Sequence, residues 1–194
     1  MIMNSFPKKA DRKDIPPPKK NYREDYLKFP IEMRPLFYEI YGVDLTQFPG
    51  IGAGTVTALL CTVGTDLSPW PSEKHFVSWL GLAPINKESA GYCKSGATRK
   101  IKNPLANAFK MAAMTAKRTT SYIGNTARRL ASRILPKKAK VATARKLAAL
   151  VYKVLQKGMP LTVHTEEEYQ QKKEEHKIKT FLRDLGKYIV DGKF

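Results

Sequence analysis

The chain has 194 residues, which suits one domain with arms, and its apolar fraction of 42% supports a single core. No run of eighteen apolar residues exists, which excludes a membrane-spanning helix of ordinary length. Thirty-five Lys and Arg against seventeen Asp and Glu give a formal charge of +18, so a polyanionic partner is expected.

That charge is not spread evenly. Between Lys87 and Lys157 stand eighteen Lys or Arg and one acid, Glu88, so this block alone carries +17. Solvated helical faces interleave both signs, and this block omits one of them. Two cysteines, Cys61 and Cys93, make no disulfide framework and lack metal-ligand spacing, and the three histidines (His75, His164, His176) are scattered. Cys61, following Leu59 and Leu60, reads as core, and Cys93 beside Lys94 as incidental.

In chain order, residues 1–29 are expected to be a flexible Pro/Lys-rich linker, with Pro16-Pro17-Pro18 flanked by Lys19-Lys20 and too little apolar surface to fold alone. The opening MIMNSFPKKADRKD has no hydrophobic stretch of signal-peptide length, so a cytoplasmic, nucleoid-associated location is expected. A helical domain is expected over 30–160. Its first helix, Ile31 to Tyr41, repeats Met33, Leu36, Phe37 and Ile40 at helical spacing and stops at Gly42.

Phe48-Pro49-Gly50-Ile51-Gly52-Ala53-Gly54 is a glycine turn entering an apolar helix at Thr55–Val63. Gly50, Gly52 and Gly54 let backbone approach a partner, and free amides at a helix start favour phosphate. The turn lacks the leading strand of a dinucleotide fingerprint and the Gly-Lys-Ser/Thr of a Walker loop. A helix-hairpin-helix grip on a DNA backbone and an ordinary loop both remain open.

Ser68-Pro69-Trp70-Pro71-Ser72 is a rigid turn, with Ser72 as N-cap of a helix at Glu73–Leu80 whose apolar face is Phe76, Val77, Trp79 and Leu80. Gly81 and Pro84 end it. Residues 85–101 form a long polar loop, and loops of that length in compact domains are commonly functional. Three helices follow, at about Asn103–Arg118, Ile123–Ile134 and Lys138–Gln156. The second turns Arg128, Arg129 and Arg133 outward; with Lys137, Lys138 and Lys140 these are candidate contacts to a nucleic-acid backbone. Residues 161–194 form a charged helical tail with Leu182 and Leu185 as weak apolar anchors. With no strand-period alternation and no repeat, the fold class is all-α.

Four blocks together carry a family resemblance: GVDLTQFPGIGAGTVTALL (42–60), GTDLSPWPSEKHFVSWLGLAPINKESAG (64–91), SGATRK (95–100) and VATARKLAALVYKVLQKGMP (141–160). In this order they resemble the C-terminal domain of insertion-sequence-110-type (116/902-type) transposases, which work with a structured noncoding bridge RNA. In that family a resolvase-like domain holds an acidic DEDD tetrad of metal ligands, and a serine of the C-terminal domain becomes linked to DNA. The resemblance implies double-stranded DNA and bridge RNA as partners, together with other copies of the chain, and no membrane. It places the nucleophile in a loop like Ser-Gly-Gly after a Gly-Leu-x-Pro block. Gly81-Leu82-Ala83-Pro84 and then Ser89-Ala90-Gly91 make Ser89 the candidate, with Ser95 its competitor.

The chain departs from the family pattern at Ala90, where a glycine is usual, and at Ile101-Lys102 and Ala106-Asn107, where Gly-Asn and paired arginines are usual. The acidic domain is also absent from these 194 residues. No cofactor is therefore expected in this chain, with Mg2+ expected only alongside the acidic domain. Attack by a serine hydroxyl needs a base or metal, and positive charge around the developing anion. Lys87, Lys94, Arg99 and Lys100 offer the charge, and nothing near in sequence offers the base. The chain on its own is expected to be inactive. Two rival readings stand beside this one: a non-catalytic helix-hairpin-helix-type nucleic-acid-binding protein, and a transposase remnant.

Overall fold

A computed structural model describes residues 7–19, 32–85, 87–89, 92–95, 97–99 and 101–157, and in the tail 171, 174, 175 and 178–183; over 87–95 it describes the backbone path alone. The fold is all-α with one small β-hairpin: α1 (Met33–Tyr41), α2 (Ala53–Val63), α3 (Glu73–Trp79), β1 (Lys87–Ser89), β2 (Tyr92–Ser95), α4 (Pro104–Ala116), α5 (Tyr122–Ala131) and α6 (Pro136–Lys157).

The 22-residue α6 is the central post, packing against α3, α4 and α5, while α2 packs on α4. The core runs through Phe37, Leu45, Ile51, Phe76, Phe109, Leu147 and Tyr152, all at or below 2% exposure. Each such side chain gains about 1.5–3 kcal/mol from leaving water. Ala112, Ala113, Ala116, Ala144 and Ala148 are buried where α4 and α6 meet their neighbours, so the helix backbones lie close. An aromatic seam joins α3 to α6. Trp70 meets Phe76 edge-on at 5.3 Å, Phe76 stacks on Tyr152 at 5.5 Å, and the Tyr152 hydroxyl donates to the Trp70 carbonyl.

Caps set the helix starts. Asn103 Oδ1 accepts from the amides of Leu105 and Ala106 ahead of Pro104, and Ser121 Oγ accepts from Gly124 at the head of α5. Ser72 stands at the N-cap of α3 but makes no cap bond; its hydroxyl pairs with His75 Nδ1 at 2.8 Å instead. Cys61 is exposed rather than core, because α2 buries the face of Ala53, Val56 and Leu59 and Cys61 falls off it. Trp79 is 38% exposed at the edge of the seam, covered on one side by Trp70 at 4.7 Å.

Part of the N-terminal stretch lies on the body. The Lys9 amide donates to the Glu39 carbonyl at 2.7 Å, and the Arg12 guanidinium bonds both Glu39 carboxylate oxygens, at 2.8 and 3.2 Å. The carbonyls of Pro16 and Pro17 accept from Arg34 and Gln47. Lys19 Nζ donates to the Phe48 and Ile51 carbonyls at 2.9 and 2.6 Å. After a 3-10 turn at Arg12–Asp14, Pro16-Pro17-Pro18 cannot continue a helix, which leaves their carbonyls open to such donors. Beneath it Arg34, 8% exposed, pairs with Asp44, 4% exposed, through Nε at 2.9 Å; Asp44 also accepts from the amide and hydroxyl of Thr46.

Candidate nucleic-acid interface

The 85–101 stretch, expected as a loop, is a hairpin. Pro84 bridges Thr98, the Ile85 amide donates to the Ala97 carbonyl at 2.8 Å, and β1 and β2 pair antiparallel as Lys87 with Ser95, Glu88 with Cys93 and Ser89 with Tyr92. A bulge falls between Lys87 and Glu88. Ser89 is thus the last strand residue before the turn, and Ser95 sits at the base opposite Lys87. The two candidate nucleophiles occupy opposite ends of one ribbon, with Lys94 next to Ser95 along β2. At the hairpin foot Gly81 has φ +70°, and a Cβ there would stand 3.1 Å from Ile101 Cδ1. That close seat fixes where the ribbon leaves the helical body. Arg99 is exposed beside the bridge, and Lys100 lies outside the described residues.

The three glycines of the turn before α2 do different things. Gly50 has φ +84°, and a Cβ there would lie 2.3 Å from the Ala112 carbonyl oxygen and 2.7 Å from the Ala116 nitrogen. Its bareness serves the contact with α4, not an outside ligand. Gly52 is the N-cap of α2 with open space beside it, and Gly54 is exposed in the first turn. Lys19 already holds two carbonyls of this same turn. Burial lowers the Lys19 pKa to about 8, against an opposing pull from the Asp44 charge.

The basic residues of α5 and α6 also divide. Arg128 donates to the carbonyls of Lys117 and Thr119, at 2.8 and 2.7 Å, and to Asn125. It closes the open carbonyl end of α4 and so ties the α4–α5 corner. Arg129, Arg133, Lys137 and Lys138 are exposed, and Lys140 is half-buried. On the same side Lys146 Nζ bonds the Tyr122 hydroxyl at 2.6 Å and lies 4.5 Å from its ring centroid. Burial would raise that phenol's pKa, but the Lys146 bond and charge, with Thr126 and Arg129, together hold it below its ordinary value.

Between α4, α5 and α6 opens a groove of about 660 Å³, lined by Met111, Met114, Ala127 and Ala131 and rimmed by Lys117, Arg118, Lys137 and Lys140. Sequence reasoning named Lys137 and Lys140 but missed Lys117, Arg118 and both methionines. The available signal was that α4 is apolar on two sides: Met111 and Met114 stand opposite the buried stripe of Leu105, Phe109 and Ala112.

Among the described residues no three of His, Cys, Asp and Glu converge. The described residues therefore offer no acidic two-metal centre. No described helix is long and apolar enough to cross a membrane.

Residues 44–128 match the model of the Transposase IS116/IS110/IS902 family. The matched stretch opens at Asp44, contains the glycine turn, the hairpin and α4, and ends at Arg128 within α5. The chain is also similar to the "Insertion element IS110 uncharacterized 43.6 kDa protein" of Streptomyces coelicolor, 47% identical over 45 residues, which is 23% of this chain and 11% of that protein. The chain thus spans about a tenth of the length of that relative.

Proposed function

We propose that the chain is a nucleic-acid-binding, serine-bearing module of an insertion-sequence transposase, and that it acts on duplex DNA in partnership with a structured RNA and further protein copies. The observation that carries this reading is the coincidence of two facts in one segment. The transposase-family match over 44–128 contains the hairpin of Ser89, and the basic block, whose one acid is Glu88, begins with that hairpin and runs on through α6. Exposed cations on α5 and α6 would grip phosphates without reading sequence, and so position a duplex.

In the reaction proposed, Ser89 Oγ attacks the phosphorus of a phosphodiester and forms a serine–phosphate ester. The bond from phosphorus to one deoxyribose oxygen breaks, and that oxygen leaves with a proton. Lys87 and Lys94, on the same ribbon, would offset charge developing on the phosphoryl oxygens. The serine proton needs an acceptor, and in this reading a partner carrying the acidic site supplies it. Ser95 competes for the same role from the ribbon's base.

The test is covalent trapping on labelled DNA, with the module reconstituted alongside an acidic-tetrad domain and guide RNA. Adducts should disappear with Ser89→Ala and persist with Ser95→Ala. Adducts that survive Ser89→Ala remove the Ser89 assignment. If no adduct forms with any variant while DNA is still bound, the non-catalytic reading is favoured.

A further inference from the structure

We propose that the groove between α4, α5 and α6 receives the C-terminal helix of a second copy of this chain. The groove is apolar at its floor and basic at its rim. Met111 is 61% exposed and Met114 49%, beside Ala127 and Ala131, while Lys117, Arg118, Lys137 and Lys140 stand around them with no acid in the lining. A phosphate backbone would meet the rim but has nothing to place on the floor. A methionine floor is instead suited to apolar side chains of irregular shape, because thioether chains adapt to what they meet.

The tail offers the complement. Its described residues are helical, and Ile178, Phe181 and Leu182 are 59%, 64% and 61% exposed. At i, i+3 and i+4 these three share one face of the helix. Glu174 and Glu175, exposed one turn earlier, flank the same face. The face thus carries two acids and then three large apolar groups. That order suits a helix laid in a groove with a basic edge and an apolar floor.

Two features favour a second copy over the chain's own tail. In the single chain both faces stand open at once. The groove lies at the start of α6, and α6 carries the chain about 27 Å away between Ala139 and Lys157. The thirteen residues 158–170 reach at most about 43–47 Å, so closure on itself takes up more than half of that full extension. Reciprocal exchange gives each copy one filled groove and one covered tail, the self-complementary arrangement of a twofold dimer.

The experiment uses the full chain, cleared of nucleic acid. Sedimentation should show a dimer whose dissociation constant rises at least tenfold with Phe181→Asp and likewise with Met114→Lys. Both side chains are exposed, so circular dichroism should report an unchanged fold. In a Cys61→Ser, Cys93→Ser background, a Met114→Cys chain mixed with a Phe181→Cys chain should give a disulfide between unlike chains. A chain that stays monomeric at tens of micromolar overturns the proposal. So does a disulfide formed only within one doubly substituted chain, which assigns the groove to its own tail. Tail variants that change DNA affinity while leaving self-association untouched overturn it too, and assign the floor to nucleic acid.

Discussion

The Arg34–Asp44 pair is the point on which the N-terminal third is assembled. Both groups are nearly excluded from water, and the same carboxylate holds Thr46 while the same guanidinium holds the Pro16 carbonyl. Removing one partner leaves a buried charge without its counterion, a change that costs about 3–5 kcal/mol. Asp44→Ala should therefore lower unfolding free energy in urea by about that amount, and a loss under 1 kcal/mol would mean that water reaches Arg34. Gly50 makes the same point through space. Gly50→Ala forces a left-handed backbone on alanine and drives a Cβ into the Ala112 carbonyl, so about 3 kcal/mol or more should be lost. Equal stability of the variant would show that the turn sits further from α4. The need for glycine was legible in the sequence. Its reason was not, because a turn that approaches a phosphate and a turn that approaches a neighbouring helix require the same missing side chain.

At the scale of elements, helices were legible and the ribbon and the arm were not. Apolar residues at helical spacing mark α1, α2, α4 and α6 directly. Lys87-Glu88-Ser89 and Tyr92-Cys93-Lys94-Ser95 carry no alternation, since a two-stranded ribbon with little behind it has no apolar face to declare. The 7–19 stretch binds through its own backbone groups and three cations, Lys8, Arg12 and Lys19, which leaves no periodic pattern in side-chain type. Its docking should depend on pH in one direction. The Arg12 hydrogen bond, against some burial and helped by the Arg12 and Lys8 charges, holds Glu39 below its ordinary pKa. That contribution is present above the free carboxyl pKa and is lost as pH falls through the lowered value. For Lys19 the docked pKa of about 8 lies below the free value of 10.5. The undocked arm therefore holds a proton that the docked arm has released between those values, and docking strengthens as pH rises across that window. A carbon-13 lysine NMR titration should give Lys19 a midpoint near 8, with arm resonances turning random-coil at acid pH. A Lys19 midpoint above 10 would refute burial of that ammonium.

For the whole molecule, the +17 block favours a polyanionic partner, and the side-chain geometry limits how many of its cations remain to meet one. Among the described residues, several are engaged within the fold, such as Arg128 on the α4 carbonyls, Lys146 on Tyr122, and Lys153 on Glu73 at 3.1 Å. The sequence showed the field but could not show these commitments, which depend on what each side chain meets across the bundle. If roughly six to ten phosphates are neutralised by the rest, log K for duplex DNA should fall with log salt at a slope of about −5 to −9. Fluorescence anisotropy between about 50 and 200 mM salt would then record a loss of about a thousandfold or more. The geometry also separates two arginines only five residues apart. Arg133→Ala should make the slope shallower by about 1 with little change in melting temperature, because Arg133 is exposed. Arg128→Ala should lower the melting temperature by a few degrees and leave the slope nearly unchanged, because its guanidinium serves the α4–α5 corner. A slope near zero for the unaltered chain would remove the polyanion reading altogether. A reversed pattern between the two arginines would show that Arg128 leaves its carbonyls to meet DNA.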